Sequence, residues 1–217
     1  MKQFAVIGLG RFGTSVAMTL SKMGYEVFAA DIDEERVNNI VEYVTHAGTL
    51  DALDEHSLKR IGIRNFDVVV VAIGKEVQSS ILITVMLKEM GVKRVVAKAQ
   101  SELHGKVLER VGADKVVFPE RDMGVKVAHA LVSKNVMEQI SLSPEYSLVE
   151  MVAPPKLVNK TLEKSGARQK YGMSILAIWR GGEMIISPIA SQVIQEGDIL
   201  VVIGRTERLQ DFDTVEI

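Results

Sequence analysis

The sequence predicts an α/β fold, a Rossmann-like doubly wound parallel sheet followed by a small C-terminal α+β domain. Three observations predict it. Short apolar runs alternate with amphipathic helical stretches through the first two-thirds of the chain, and such alternation builds parallel sheets with right-handed crossovers. A glycine-rich loop, Gly8-Leu9-Gly10-Arg11-Phe12-Gly13, stands between the first strand and the first helix. After residue 140 the alternation stops and a β-rich tail begins. The expected domains are 1–140, the parallel unit with the long helix that follows it, and 141–217, the small β-rich unit.

Residues 4–7 form an apolar run that ends at Gly8. The next helix places Val16, Leu20 and Met23 on one face and closes at Gly24. Residues 26–30 make a second strand ending in Asp31, and Asp33 caps a helix carrying Val37, Ile40 and Val41. A short strand over 45–49 and a helix over 54–61 come next. Residues 67–73 are apolar on both faces, as a central parallel strand is. Helix 77–90, strand 94–97, helix 102–111 and strand 115–118 complete the series. Residues 122–140 read as one long helix. The tail offers a strand over 147–152, a Pro154-Pro155 break, a helical stretch around Leu162, a hairpin over 174–186 turning at Gly181-Gly182, and a last strand over 198–203. A unit of about 70 residues is marginal alone, so dimerisation or docking is expected to stabilise it.

Composition excludes several functions. The chain is 47% hydrophobic and 25% charged, with a formal net charge of -2. No basic stripe of the kind that binds nucleic acid is present. The absence of cysteine removes disulfides, thiolate metal sites and cysteine nucleophiles, and suits a reducing cytoplasm. The apolar stretch at the N-terminus runs straight into the glycine loop and reads as a buried strand rather than a signal. The longest purely apolar run, 68–73, is far short of the roughly 20 residues a bilayer needs.

The glycine loop has the context that the dinucleotide fingerprint requires: a strand before it, a helix after it, and an acid at the end of the next strand. Gly8 permits the tight turn, Gly10 lets the backbone approach phosphate, and Gly13 allows close helix–strand contact. Phosphates then sit on the free N–H groups of the helix N-terminus. Asp31 is placed to accept hydrogen bonds from ribose hydroxyls, with Ile32 and Asp33 beside it, and its charge argues against a 2′-phosphate. Arg11 offers a permanent cation to a terminal phosphate. Further candidates lie at the carboxyl ends of later strands: Thr49, Leu50 and Asp51, then Ala72, Ile73 and Gly74, then Lys98.

Catalytic groups are not evident. A dehydrogenase needs a proton donor or relay near its nicotinamide, and no Tyr-x-x-x-Lys, Ser-His-Asp or metal-ligand spacing stands out. His56, His104 and His129 fall in helical stretches and read as solvated or packed, while His46 begins the third strand. The residues favour a ligand sensor over an NAD-dependent oxidoreductase. A redox-sensing repressor would need a basic DNA-reading module.

Several separated motifs give a more specific resemblance. They are the loop from Phe4 to Gly13, Gly62-Ile-Arg-Asn-Phe-Asp67, Val71-Ala-Ile-Gly74, Val96-Ala-Lys-Ala-Gln100, Gly112-Ala-Asp114 and Pro119-Glu-Arg-Asp-Met-Gly124. In the tail, Arg168-Gln-Lys-Tyr-Gly172, Ile175-Leu-Ala-Ile178, Ser187-Pro188 and Gly197-Asp198-Ile-Leu200 continue the pattern. The chain resembles the RCK (KTN) regulators of potassium transport, above all the soluble subunits of Ktr uptake systems, over nearly its whole length. Thr14 stands where the family loop commonly has a further glycine.

That resemblance implies a non-enzymatic, cytoplasmic subunit at the inner face of the cell membrane. It implies a homodimer assembling into an octameric ring on an integral-membrane potassium translocating subunit. ATP would favour the active ring and ADP the inactive one, with NAD(H) as another candidate ligand. By motif, Arg11 would contact terminal phosphates, Asp31 the ribose, and Lys98 would line the pocket. Glu120 would approach the nucleotide across the dimer interface, where a divalent cation (Mg or Ca) could screen phosphate from carboxylate. Arg168, Ile175 and Pro188 occupy positions where the family's paired tail domains bind cyclic di-AMP.

Overall fold

The structure is a computed structural model and describes residues 2–132 and 136–209. The chain divides into two compact units, Met1–Arg121 and Asp122–Ile217.

In the first unit six strands form one parallel sheet: β1 (Gln3–Ile7), β2 (Glu26–Asp31), β3 (His46–Thr49), β4 (Val68–Val71), β5 (Val95–Lys98) and β6 (Lys115–Val117). Their order is β3-β2-β1-β4-β5-β6. The chain therefore builds outward from β1 on one side, then returns to lay β4 against β1's other edge. At that reversal the loops after β1 and β4 diverge, and the crevice they leave is where open α/β sheets bind ligands.

Side chains alternate across the sheet with period two. Ala5, Ile7, Val69 and Val71 join one buried cluster, whereas Val6, Val27, Ala29 and Val70 join the other. Helices cover both faces: α1 (Arg11–Lys22), α2 (Glu34–Asn38), α3 (Glu55–Arg60), α4 (Val77–Glu89) and α5 (Glu102–Arg110). Asp33, Asp54 and Ser101 cap α2, α3 and α5, each accepting a backbone N–H from the first turn.

Two residues expected on apolar helical faces are instead exposed. Met23 is the C-cap of α1, and Val41 falls in a short 3-10 turn after α2. Periodicity ends where the helix does, and both of these helices end earlier than the apolar pattern.

Helix α6 (Pro119–Val132) carries the chain into the second unit. It begins at Pro119, a residue suited to a first helical turn because its missing N–H is not needed there. The expected single helix over 122–140 is corrected. Residues 133–135 lie outside the described set, and Val136–Ser141 is a strand, β7. The expected boundary at 140/141 thus falls inside an element of the second sheet, and the two units divide at 121/122.

The second sheet is antiparallel, in the order β10-β9-β11-β8-β7. Besides β7 it contains β8 (Tyr146–Val152), β9 (Met173–Arg180), β10 (Glu183–Ile186) and β11 (Ile199–Arg205). Strands β9 and β10 form the hairpin expected from Gly181-Gly182, whose left-handed φ angles of 55° and 90° give the two-residue turn that matches strand twist. Short helices α7 (Leu162–Ser165) and α8 (Ala167–Tyr171) precede β9. A core of Val149, Met151, Leu157, Ile178, Ile194, Leu200 and Val202 lies against this sheet.

A candidate nucleotide cleft

The loop after β1 is shaped by glycine at two places. Gly8 has φ +95°, and a Cβ there would stand 2.9 Å from the Ile73 side chain. At Gly13 a Cβ would meet the Gly8 carbonyl oxygen at 1.9 Å. The turn exists because neither residue has a side chain. Gly10, by contrast, faces open space, which leaves its backbone approachable from the cleft. It is the N-cap of α1 and supplies no side-chain cap, so the first-turn N–H groups and the positive end of the helix dipole are left for a ligand.

A cavity of about 960 Å3 opens at the carboxyl ends of the parallel strands. Of the residues expected from sequence, Gly8, Gly10, Arg11, Phe12, Asp31, Ile32, Leu50, Asp51, Ala72, Ile73, Gly74, Lys98 and Glu120 line it. Three do not, and each has a structural reason. Gly13 lies behind the loop, against Gly8. Asp33 turns its carboxylate to the Glu35 N–H as the cap of α2. Thr49 ends β3 with an exposed side chain outside the cavity wall.

Asp31 is 7% exposed, and its carboxylate accepts the Leu9 N–H at 2.5 Å and the Asp33 N–H at 3.0 Å. Arg36, which sequence reasoning passed over, places Nη1 3.4 Å from Asp31 Oδ2 and Nε 3.3 Å from Asp33 Oδ2. In the sequence Arg36 is one charge on the exposed face of a short helix, with nothing to single it out. Gln100 also lines the cavity and was missed. Its place two residues after Lys98, at the end of the same strand, was the available signal.

On the opposite wall, Lys98 Nζ lies 2.5 Å from Glu120 Oε1 and 5.9 Å from the centre of the Phe12 ring. The Lys98 hydrogen bond holds the Glu120 carboxyl below its ordinary range, against the opposing effect of burial. Glu120 thus meets Lys98 of its own chain, inside the cleft. Among the described residues no group of three or more His, Asp or Glu side chains is gathered as a metal site.

No histidine lines the cavity among the described residues. His104 is buried, accepts the Gln100 N–H at Nδ1, and has its pKa lowered by desolvation. The side chain of His129 lies outside the described set. The cleft therefore combines exposed backbone N–H groups, the cations Arg11 and Lys98, and the buried carboxylate Asp31. Such a set holds and orients a phosphorylated ligand.

Comparison with known proteins matches the sequence to a family. The TrkA-N domain family matches residues 4–119 and the TrkA-C domain family residues 146–215. The Ktr system potassium uptake protein C of Bacillus subtilis (strain 168) is 51% identical over 212 residues, covering 98% of this chain and 96% of that protein. The chain belongs to the Ktr potassium uptake family. Ktr system potassium uptake protein A of the same organism is 48% identical, with the same coverage of both chains. Among solved structures, the GsuK channel bound to NAD aligns with a TM-score of 0.66 at 18% identity, over 96% of this chain. The Ktr-family chain spans 38% of that channel's length. This likeness shows the shared fold.

The residues of the Ktr-family tail named for cyclic di-AMP lie on three separate segments. Arg168 is exposed on α8, Ile175 is half-buried in β9 against the second core, and Pro188 is half-buried after β10. Among the described residues no hydrogen bond or ion pair joins them within one chain.

Proposed function

We propose that this chain is the nucleotide-sensing regulatory subunit of a Ktr-type potassium uptake system, switched by ATP and ADP rather than acting as an enzyme. One observation carries the reading. The cleft at the sheet's reversal sets Arg11, Lys98 and an uncapped helix N-terminus beside a buried carboxylate at the end of β2. A nucleotide lying across it puts its ribose at Asp31 and its phosphates at Gly10 and Arg11. The Lys98–Glu120 pair supplies the switch, because phosphate competes with Glu120 for the same ammonium group. A Glu120 released in this way would join a divalent cation (Mg or Ca) in screening the terminal phosphate, with further ligands coming from the nucleotide or from a second subunit.

The family relationship supports a membrane-embedded potassium translocating partner. Among the described residues no helix is long and apolar enough to cross a membrane. Attachment as a cytoplasmic homodimer-based octameric ring is the assembly we propose. Arg168, Ile175 and Pro188 then form a cyclic di-AMP site only when two tail units pair, since one copy does not gather them. NAD(H) is the rival ligand, favoured by the structural likeness to a channel solved with NAD.

The test is calorimetric titration of the purified chain with ATP, ADP and NADH, with light scattering to follow assembly. Binding of ATP and ADP with different ring populations is expected. Binding of NADH alone would replace the proposal with the rival, and no nucleotide binding at all would refute both.

A further inference from the structure

A second cavity, of about 640 Å3, lies along the channel between α1 and α2. It shares Leu9, Gly10, Arg11 and Arg36 with the nucleotide cleft, so the two meet at the glycine loop. Arg11, Ser15, Thr19 and Lys22 follow one another down a single face of α1, and Arg36 and Asn39 contribute from the α2 side. Three cations line this cavity and no carboxylate does. Among the described residues neither Arg11 nor Lys22 has an ion-pair partner. Arg36 alone of the three is paired, with Asp31 and Asp33, so among the described residues the charges of Arg11 and Lys22 are left for an anion from outside.

Asp31 lines the nucleotide cleft and contacts two residues that both cavities share, Leu9 and Arg36. A carboxylate there ordinarily excludes a phosphate on the ribose, and the sequence alone supports that exclusion. In the structure, its charge is already answered by the N–H groups of Leu9 and Asp33 and by the Arg36 guanidinium. An arginine in this position is the group that accommodates a ribose phosphate in dinucleotide folds, and its planar fork suits phosphate oxygens.

We infer that the channel between α1 and α2 is a phosphate subsite, taking a phosphate carried on the 2′ or 3′ oxygen of the ribose of a nucleotide seated in the cleft. The inference rests on the nucleotide reading of that cleft. Arg36 makes the direct contact, with Arg11 and Ser15 at the upper end of the channel. Lys22 lies about 16 Å further along the axis of α1, at 1.5 Å per residue, and acts only through its field, which salt screens over about 8–10 Å. The chemical class is a ribose-phosphorylated adenine nucleotide.

The experiment is calorimetric titration of the full chain with AMP, adenosine 2′,5′-bisphosphate and adenosine 3′,5′-bisphosphate. The readout is the affinity for each bisphosphate relative to AMP. One bisphosphate is expected to bind about fivefold or more tightly than AMP, as an added charge-assisted contact requires. Ser15→Glu should lower that ratio about tenfold and Lys22→Glu by less than about twofold, in the order of their distance from the phosphate. Both positions are exposed on α1 and glutamate is a strong helix former, so the variants retain the fold. A wild-type ratio below one, with AMP still bound, overturns the subsite and leaves the nucleotide cleft standing. A ratio unmoved by Ser15→Glu also overturns it. Failure of AMP, ADP and ATP alike removes the cleft and the subsite together.

Discussion

Asp31 in the first unit and Asp198 in the second are both buried carboxylates, at 7% and 1% exposure, and they serve different ends. Asp198 closes on its own unit. It takes Arg180 Nε at 2.8 Å, Arg180 Nη2 at 2.7 Å and the Gln195 N–H at 2.7 Å, while the same guanidinium donates to the Val193 carbonyl. Asp31 is held chiefly by backbone N–H groups at the end of a strand and faces a cavity. Burial alone does not distinguish a clasp from a ligand site. The partners do. A carboxylate paired bidentately with a guanidinium of its own sheet locks two strands, whereas one held by the backbone keeps capacity for a ligand.

Four outcomes would sharpen or break that contrast. The largest is expected from Asp198→Ala, which strands Arg180 without its carboxylate. A loss of about 3 kcal/mol in unfolding is expected, as for a broken buried ion pair, with ADP affinity unchanged. Denaturant unfolding and calorimetry together check it, and a matching loss of ADP affinity would mean that the clasp and the cleft are one system. Next comes Gly13→Ala, whose added methyl has no room beside the Gly8 carbonyl. Its expected cost is about 2 kcal/mol from overpacking, accompanied by loss of nucleotide binding because the loop must open.

Arg11→Ala should separate ligand from fold. The side chain is exposed and makes no ion pair among the described residues. Unfolding should therefore shift by no more than about 0.5 kcal/mol, while ADP affinity falls about thirtyfold through a lost charge-assisted phosphate contact. Equal affinity in the variant would move the phosphates elsewhere.

The smallest effect is that of acid on the clasp. Burial pushes the Asp198 carboxyl up, but its hydrogen bonds to Arg180 and Gln195 outweigh this and hold it below its ordinary value of 3.8. A depressed folded pKa means that the unfolded chain takes the proton first. The stabilisation is complete above about pH 5 and is lost as pH falls through the folded pKa. Unfolding followed between about pH 5 and pH 2.5 should show this slope in the wild type, and Asp198→Asn should flatten it.

Much of the cleft was legible because the rules that build it are local. A strand, a tight glycine turn, a helix and an acid at the next strand end are consecutive in sequence, and parallel strands send all their carboxyl ends to one side. Arg36 was not legible. Its meaning comes from a guanidinium reaching back to Asp31 and from a cavity between two helices, and neither leaves a periodic trace. Thr49 and Asp33 show the converse: each stands next to a true wall residue, but its side chain points to solvent or to a helix cap. Strand β7 was hidden for another reason. Met137, Glu138 and Gln139 suit a helix as well as a strand, and pairing with β8 decided between them.

The sequence by itself determined the parallel unit, its glycine loop, the Gly181-Gly182 hairpin and the alternation that buries both faces of the first sheet. These follow from steric limits at single residues and from side-chain period, which neighbouring positions alone specify. Only the tertiary structure decided where α6 stops and β7 begins, that Glu120 meets Lys98, and that Arg36 offsets the charge of Asp31. Each of these depends on groups brought together across elements, and the energy of such a meeting is set by distance and burial rather than by order along the chain.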